Sequence, residues 1–287
     1  MTVVARVVGI IIEELQSVTR GFTMALAKFR EDIVSRFHQA TVIRAKEHDA
    51  LLPPEAEPKG APTKLKGFAA PEPRPLPVIV LADTSGSMSV NSKIDALNEA
   101  LKTMILSFGR ESRLRAEIQV GLITFGGDAA QAHVPLVGAH RIDGVQALVA
   151  NGRTPMGSAF AMARQWLEDK DLVPSRAYRP VLVLVSDGEP TDEWQAPLEA
   201  LKASERGQKA TRFAMAIGAD ADRAMLRQFT NDLEAPVFEA DGARDIVKFF
   251  RAVTMSVVAR STNGSPNTAQ PLSMGDDLED DLDLDAL

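Results

Sequence analysis

The sequence predicts a doubly wound α/β fold whose sheet is mostly parallel, with one antiparallel edge strand and a helical amino-terminal extension. Three observations predict it. Apolar, β-branched runs alternate with amphipathic helical stretches from residue 77 to residue 260. Two of the runs, 77–82 and 180–185, are apolar without interruption, as strands buried on both faces are. Both end abruptly in polar loops, Asp83-Thr84-Ser85-Gly86-Ser87 and Ser186-Asp187-Gly188, and open α/β sheets place their ligand sites at such carboxyl ends.

The elements follow in order. A strand over 77–83 leads to a helix over 93–108, where Ile94, Leu97, Ala100, Leu101, Met104 and Ile105 share one face. A strand over 117–125 and a short edge strand near 133–137 come next. Pro135 suits an edge because it removes a ladder donor. Helices are expected over 143–150 and 158–168, then a strand over 180–186, a helix over 195–206 and a strand over 211–217. A helix over 220–229, a strand over 236–239 and a helix over 243–260 complete the alternation. Parallel strands joined by crossover helices bring Asp83 and Asp187 to the same edge of the sheet.

Outside this domain, 77–260, the chain reads differently. Residues 1–50 carry apolar side chains at steps of three and four, from Val4 to Ile43, which predicts an amphipathic helical extension. Six bases against two acids between Arg20 and Lys46 make it either a helix packed on its own chain or a self-associating, partner-binding one. Eight prolines within 52–77 mark a semi-rigid linker over 51–76. Residues 261–287 read as a disordered acidic tail. Its last twelve positions hold seven acids and no base, and removing those seven from the chain's 39 acids leaves 32 against 32 bases. The body is electrically balanced, so no nucleic-acid partner is expected. The tail is either a solvated appendage or a short binding motif, with Leu278, Leu282, Leu284 and Leu287 set among acids, that also offers a route to self-association.

The chain of 287 residues has no cysteine, which excludes disulfides and Cys-type zinc sites and suits a reducing compartment. No apolar run approaches the roughly 20 residues of a membrane span, and no signal-peptide pattern opens the sequence. A cytoplasmic protein is expected. Nucleotide-binding glycine loops and zinc-protease signatures are missing, and the four histidines are scattered.

The chemistry lies in the polar loops. Carboxylate and hydroxyl oxygens at every second residue can converge on one hard cation, Mg²⁺, Mn²⁺ or Ca²⁺. Read alone, Asp83-Thr84-Ser85-Gly86-Ser87 also fits a helix N-cap. Asp187 at a second strand end and Thr154, in the loop Asn151-Gly152-Arg153-Thr154-Pro155-Met156-Gly157-Ser158, shift the balance towards a metal.

These segments resemble the von Willebrand factor A family, whose metal-ion-dependent adhesion site combines D-x-S-x-S, a loop threonine and a strand-end aspartate. Asp83, Ser85, Ser87, Thr154 and Asp187 match its five positions. The wider runs G-R-T-P-M-G-S-A and R-P-V-L-V-L-V-S-D-G-E-P-T-D-E-W look like the bacterial branch related to the tellurium-resistance (Ter) stress cluster. The resemblance covers about residues 75–260. It implies that the serines and the threonine reach the metal directly or through water, and that the aspartates bind it largely through water.

The implied function is metal-dependent protein binding in a bacterial stress-response complex, in which a partner's Asp or Glu occupies the open metal position. Two other readings are an adaptor for a separate AAA+ ATPase and a metal-assisted hydrolase. An enzyme is not expected, because no histidine or lysine stands at a recognisable position to activate Ser85 or Ser87.

Overall fold

The computed structural model describes residues 73–262, apart from 112, 114 and 231–235, together with 267, 268 and 272. The expected amino-terminal helix, almost all of the linker and most of the tail lie outside the described residues. Within them the sheet has six strands in the order β3-β2-β1-β4-β5-β6. These are β1 (Arg74–Asp83), β2 (Ala116–Gly126), β3 (Ala129–Gly138), β4 (Val181–Ser186), β5 (Thr211–Ile217) and β6 (Phe238–Ala240). All neighbours pair in parallel except β2 and β3, so the expected mostly parallel sheet with one antiparallel edge strand is what forms.

β1 is central and hydrogen-bonded on both sides. Its alternating side chains serve two cores. Leu76, Val78, Val80 and Ala82 face α1 (Lys93–Arg110) and α5 (Ala243–Thr262), whereas Ile79 and Leu81 face α2 (Met156–Glu168), α3 (Gln195–Ala203) and α4 (Arg223–Phe229). Apolar burial on both faces explains why β1 and β4 read as unbroken hydrophobic runs. β1 also begins three residues before the predicted strand, inside the proline-rich stretch. The prolines are tolerated because the ladder with β4 starts only at Val78, past Pro75 and Pro77.

Two expectations need correction. The edge strand is ten residues long rather than five. It accommodates Pro135 through register shifts against Val120, Leu122 and Ile123, where β3 carries extra residues. The helix expected over 143–150 is absent, and that segment is irregular. Asn98 on α1 clamps it: the Asn98 side chain accepts from Leu148 N–H at 2.7 Å and donates to the Leu148 carbonyl at 3.1 Å. His133 adds a 2.7 Å contact to the Gln146 carbonyl. Those backbone groups are therefore spent on side chains and not on a helical ladder. Leu148 is buried while Val149 is 77% exposed.

Along the chain, β1 is followed by β2 and β3 on one side, and the path then returns across β1 to lay β4 on the other. The carboxyl ends of β1 and β4 thus flank a topological switch point, where a crevice opens between diverging connections. Among the described residues no helix is long and apolar enough to cross a membrane.

Replacing Asn98 with Ala should cost about 1–3 kcal/mol, because the Leu148 donor and acceptor both lose their partner. Chemical denaturation and limited proteolysis check this, with new cleavage expected within 142–150. Unchanged proteolysis would mean that burial of Leu148 alone holds the segment.

Candidate metal centre

β1 carries Asp83 to a fully buried position at the sheet edge. Its Oδ1 accepts from Ser85 N–H at 2.8 Å, and its Oδ2 accepts from the Ser186 hydroxyl at 2.6 Å. Burial raises the Asp83 pKa to about 6 against these two bonds, which favour the ionised form, and neighbouring Asp187 adds a little in the same direction. This buried carboxylate, with which no cation pairs among the described residues, is the electrostatic centre of the site.

The other predicted residues gather around it. The Ser85 and Ser87 hydroxyls are 3.0 Å apart. Ser87 donates to Asp187 Oδ1 at 2.6 Å, although the two residues are 100 positions apart. Ser85, Asp187 and Thr154 are buried, and Ser87 is exposed at the rim. A Cβ at Gly188 would lie 3.8 Å from Thr154 Oγ1 and 3.9 Å from Ser87 Oγ, so the threonine hydroxyl reaches the same small space. All five predicted residues converge. Among the described residues no three His, Cys, Asp or Glu side chains form a metal-binding group, so a cation here relies on hydroxyl oxygens to complete its shell.

The Thr154 loop is held from two sides. Asn151 N–H donates to the Thr84 carbonyl at 2.7 Å, and Gly86 N–H donates to the Gly152 carbonyl at 3.0 Å, which ties the loop to the end of β1. Gly152 has φ of 74°, and a Cβ there would sit 2.5 Å from Gly127 Cα, so only glycine fits. On the other side, Thr191 accepts from Thr154 N–H at 3.1 Å and donates its own N–H to the Thr154 carbonyl at 3.0 Å.

Asp192 completes the clamp. Pro155 stands at the N-cap of α2 and has no side-chain acceptor. Asp192 supplies one from another loop, accepting from Gly157 N–H and Ser158 N–H at 2.9 Å each. Gly157 permits the approach, since a Cβ there would lie 2.1 Å from the Glu193 carbonyl.

Four of these contributors, Ser186, Thr191, Asp192 and Lys93, were not among the predicted site residues. Thr191 and Asp192 are polar residues three and four positions after Gly188, and α2 lacks a capping side chain of its own; together these were the available signal. Lys93 lies at the first position of α1, after Asn91 and Ser92, both left-handed at φ 55° and 54°. Its ammonium donates to Asp187 Oδ2 at 2.8 Å, with the lysine side chain 16% exposed. A lysine therefore reaches the site from α1. It bonds the aspartate and neither hydroxyl. Trp194, seven residues after Asp187, is half-buried and packs against the core behind α2 and α3.

Asp192→Ala should cost about 1–2 kcal/mol as a lost helix cap and free the Thr154 loop to move. Thermal unfolding together with hydrogen exchange at 151–158 checks this. A stability loss without faster exchange in the loop would limit Asp192 to helix capping.

Residues 78–189 match the family model described as von Willebrand factor type A domain. No curated protein matches the chain. Among solved structures, the von Willebrand factor type A protein from Catenulispora acidiphila is 23% identical, with TM-score 0.50, over 64% of this chain and 42% of that one. The pilus adhesin SpaC from Lactobacillus rhamnosus GG, in an open conformation, is 16% identical with TM-score 0.54, over 66% and 31%. Proximal thread matrix protein 1 from the mussel byssus, with a zinc-occupied MIDAS motif, is 17% identical with TM-score 0.50, over 66% and 48%. The chain spans less than half the length of each of these structures, and at these identities the likeness is one of fold. The segment of this chain that matches the von Willebrand factor type A domain contains all five converging residues, from Asp83 to Asp187.

Proposed function

We propose that this domain is a metal-dependent protein-binding module. Mg²⁺, with Mn²⁺ or Ca²⁺ as alternatives, would be held by the hydroxyls of Ser85, Ser87 and Thr154, with Asp83 and Asp187 behind them. The observation that carries the reading is that the hydroxyls of Ser85, Ser87 and Thr154 meet the carboxylates of Asp83 and Asp187 at one switch point. The donor set fits a hard cation, because oxygen is the only ligand type present. The raised Asp83 pKa fits as well, since a nearby cation offsets the burial that raises it. The zinc-occupied motif named for the mussel protein supports a divalent ion at an equivalent place.

When bound, the cation supplies a Lewis-acidic position for an acidic side chain of a partner. The chain's own residues do the rest. Asp83 orients the Ser85 loop through its backbone bond, Asp187 accepts from Ser87, and Thr191 holds the Thr154 backbone. Arg153 is exposed beside Thr154, and its charge favours the approach of a partner's Asp or Glu. A non-catalytic role is proposed because Lys93, which reaches the site, pairs with Asp187 and not with a hydroxyl. The pathway, assembly of a bacterial stress-response complex of the tellurium-resistance type in the cytoplasm, rests on the sequence runs around Thr154 and Asp187. An adaptor role for a separate AAA+ ATPase is the second reading, and it rests on the resemblance to bacterial von Willebrand factor A proteins.

Calorimetric titration with Mg²⁺ and Mn²⁺ tests the centre. Thr154→Ala should weaken binding about tenfold while leaving the metal-free melting temperature nearly unchanged. Lys93→Met should tighten it severalfold, since the ammonium occupies an Asp187 oxygen that a metal shell would use. Weaker binding in Lys93→Met would show that the lysine positions Asp187 instead. Capture of partners from the host with and without EDTA tests the functional reading: metal-independent capture, or substrate turnover without a partner, would overturn it.

A further inference from the structure

At the opposite end of the sheet, before β4 and β5 begin, a cleft of about 270 Å³ is lined by Lys170, Arg179, Arg206 and Lys209 against a single acid, Glu205. Arg206 is committed to the framework, donating to the Leu167 and Val173 carbonyls. Lys209 pairs loosely with Glu205 at 3.2 Å, with both side chains more than half exposed. The remaining cations still outnumber the acid. Lys209 first, then Arg206 and Lys170, hold the Glu205 carboxyl below its usual range. Beneath the cleft, buried Arg260 donates to the Arg179 carbonyl at 2.9 Å. Burial first, and the charge of Arg179 second, lower its pKa to about 10. Among the described residues the cleft's lining thus carries four bases and one acid.

The chain itself returns to this cleft after α5. Asn267 lines it and accepts from Arg179 N–H at 3.0 Å. Leu272 packs, partly buried, against the core under α1 and α5. Asp276 opens the acidic run four residues later, within about 14 Å of Leu272 by chain length, and nine residues after Asn267, within about 30 Å. Between Asp276 and Asp285 the sequence carries seven acids and no base. A tether this short gives the run an effective concentration in the millimolar range, so individually weak charge contacts suffice to hold it.

We propose that the cleft formed by Lys170, Arg179, Arg206 and Lys209 is the docking site of the chain's own acidic carboxyl-terminal segment, residues 276–287. Charge complementarity selects the segment, and the Asn267 contact sets where it starts. β4 separates the cleft from Asp187 by six strand residues, about 20 Å. A docked segment keeps its carboxylates away from Ser87 and Thr154, which leaves that end open to an external acidic partner. The proposal does not depend on the metal reading.

Zero-length carbodiimide crosslinking of the full chain, mapped by peptide mass spectrometry, tests it. Lys170 and Lys209 should crosslink to acids of 276–285 within the monomer at about 0.1 M salt. The yield should drop at least about fivefold at 1 M salt, where the screening length is about 3 Å. Arg179→Glu, which alters an exposed side chain and leaves both lysines in place, should reduce the yield similarly. Deleting 276–287 should speed hydrogen exchange at 170–180 and 204–210 and leave Mg²⁺ affinity unchanged. Tail crosslinks confined to other lysines such as Lys28, Lys93 or Lys248, crosslinks found only in dimers, or no crosslinks at all would overturn the proposal. So would unchanged exchange after deletion.

Discussion

The structure turns on a carboxylate buried at the end of a central strand. Asp83 is placed beyond the reach of water by the same apolar run that makes β1 the sheet's centre. Ionised carboxylates pay heavily for that position unless they are paired or hydrogen-bonded. Two donors, Ser85 N–H and the Ser186 hydroxyl, offset part of the cost. What remains shows as a pKa raised to about 6, and it explains why neighbouring groups are hydroxyls able to turn towards a cation. Lys93 pairs with Asp187 rather than Asp83, so the deeper carboxylate keeps its unmet demand.

Holding three distant segments around that carboxylate falls to backbone contacts. Strand order brings β1 and β4 side by side, and the loop between α2 and its preceding segment must then be fixed to both. Gly152 and Gly157 let backbones approach where any side chain would collide, while Asp192 caps a helix whose own N-cap is proline. The hydroxyl of Thr154 is thus placed by residues that never touch it. The acidic and basic ends of the sheet give the molecule a polarity along its strands, with the carboxylate centre at one end and the arginine- and lysine-lined cleft at the other.

Much of this was legible in the sequence for a physical reason: strands buried on both faces must be continuously apolar, so β1 and β4 and their polar ends stand out. The five converging residues follow from those ends and from the Gly/Pro loop around Thr154. What local sequence could not show was contact between segments. The 143–150 stretch has helical periodicity, yet Asn98, some 50 residues away, takes the backbone groups a helix would use. Pro135 suits a short edge strand, yet shifts of register let β3 run ten residues. Lys93, Thr191 and Asp192 are ordinary surface residue types, and only the tertiary fold aims them at the site.

The central proposal, that a cation sits beside buried Asp83 at neutral pH, has a direct thermodynamic signature. Its folded pKa of about 6 lies above the ordinary 3.8, so between those values the folded chain holds a proton that the unfolded chain has lost. Stability attributable to Asp83 must therefore fall as pH rises through that window, by roughly 3 kcal/mol, and stay low above it. The measurement is unfolding free energy from pH 4 to pH 7, in EDTA and in millimolar Mg²⁺, for the wild-type chain and Asp83→Asn. The account predicts a fall with pH in EDTA that Mg²⁺ largely restores above pH 6, and a variant showing neither the fall nor the Mg²⁺ effect. Parallel curves for wild type and variant, or a wild-type fall that Mg²⁺ leaves untouched, would contradict it.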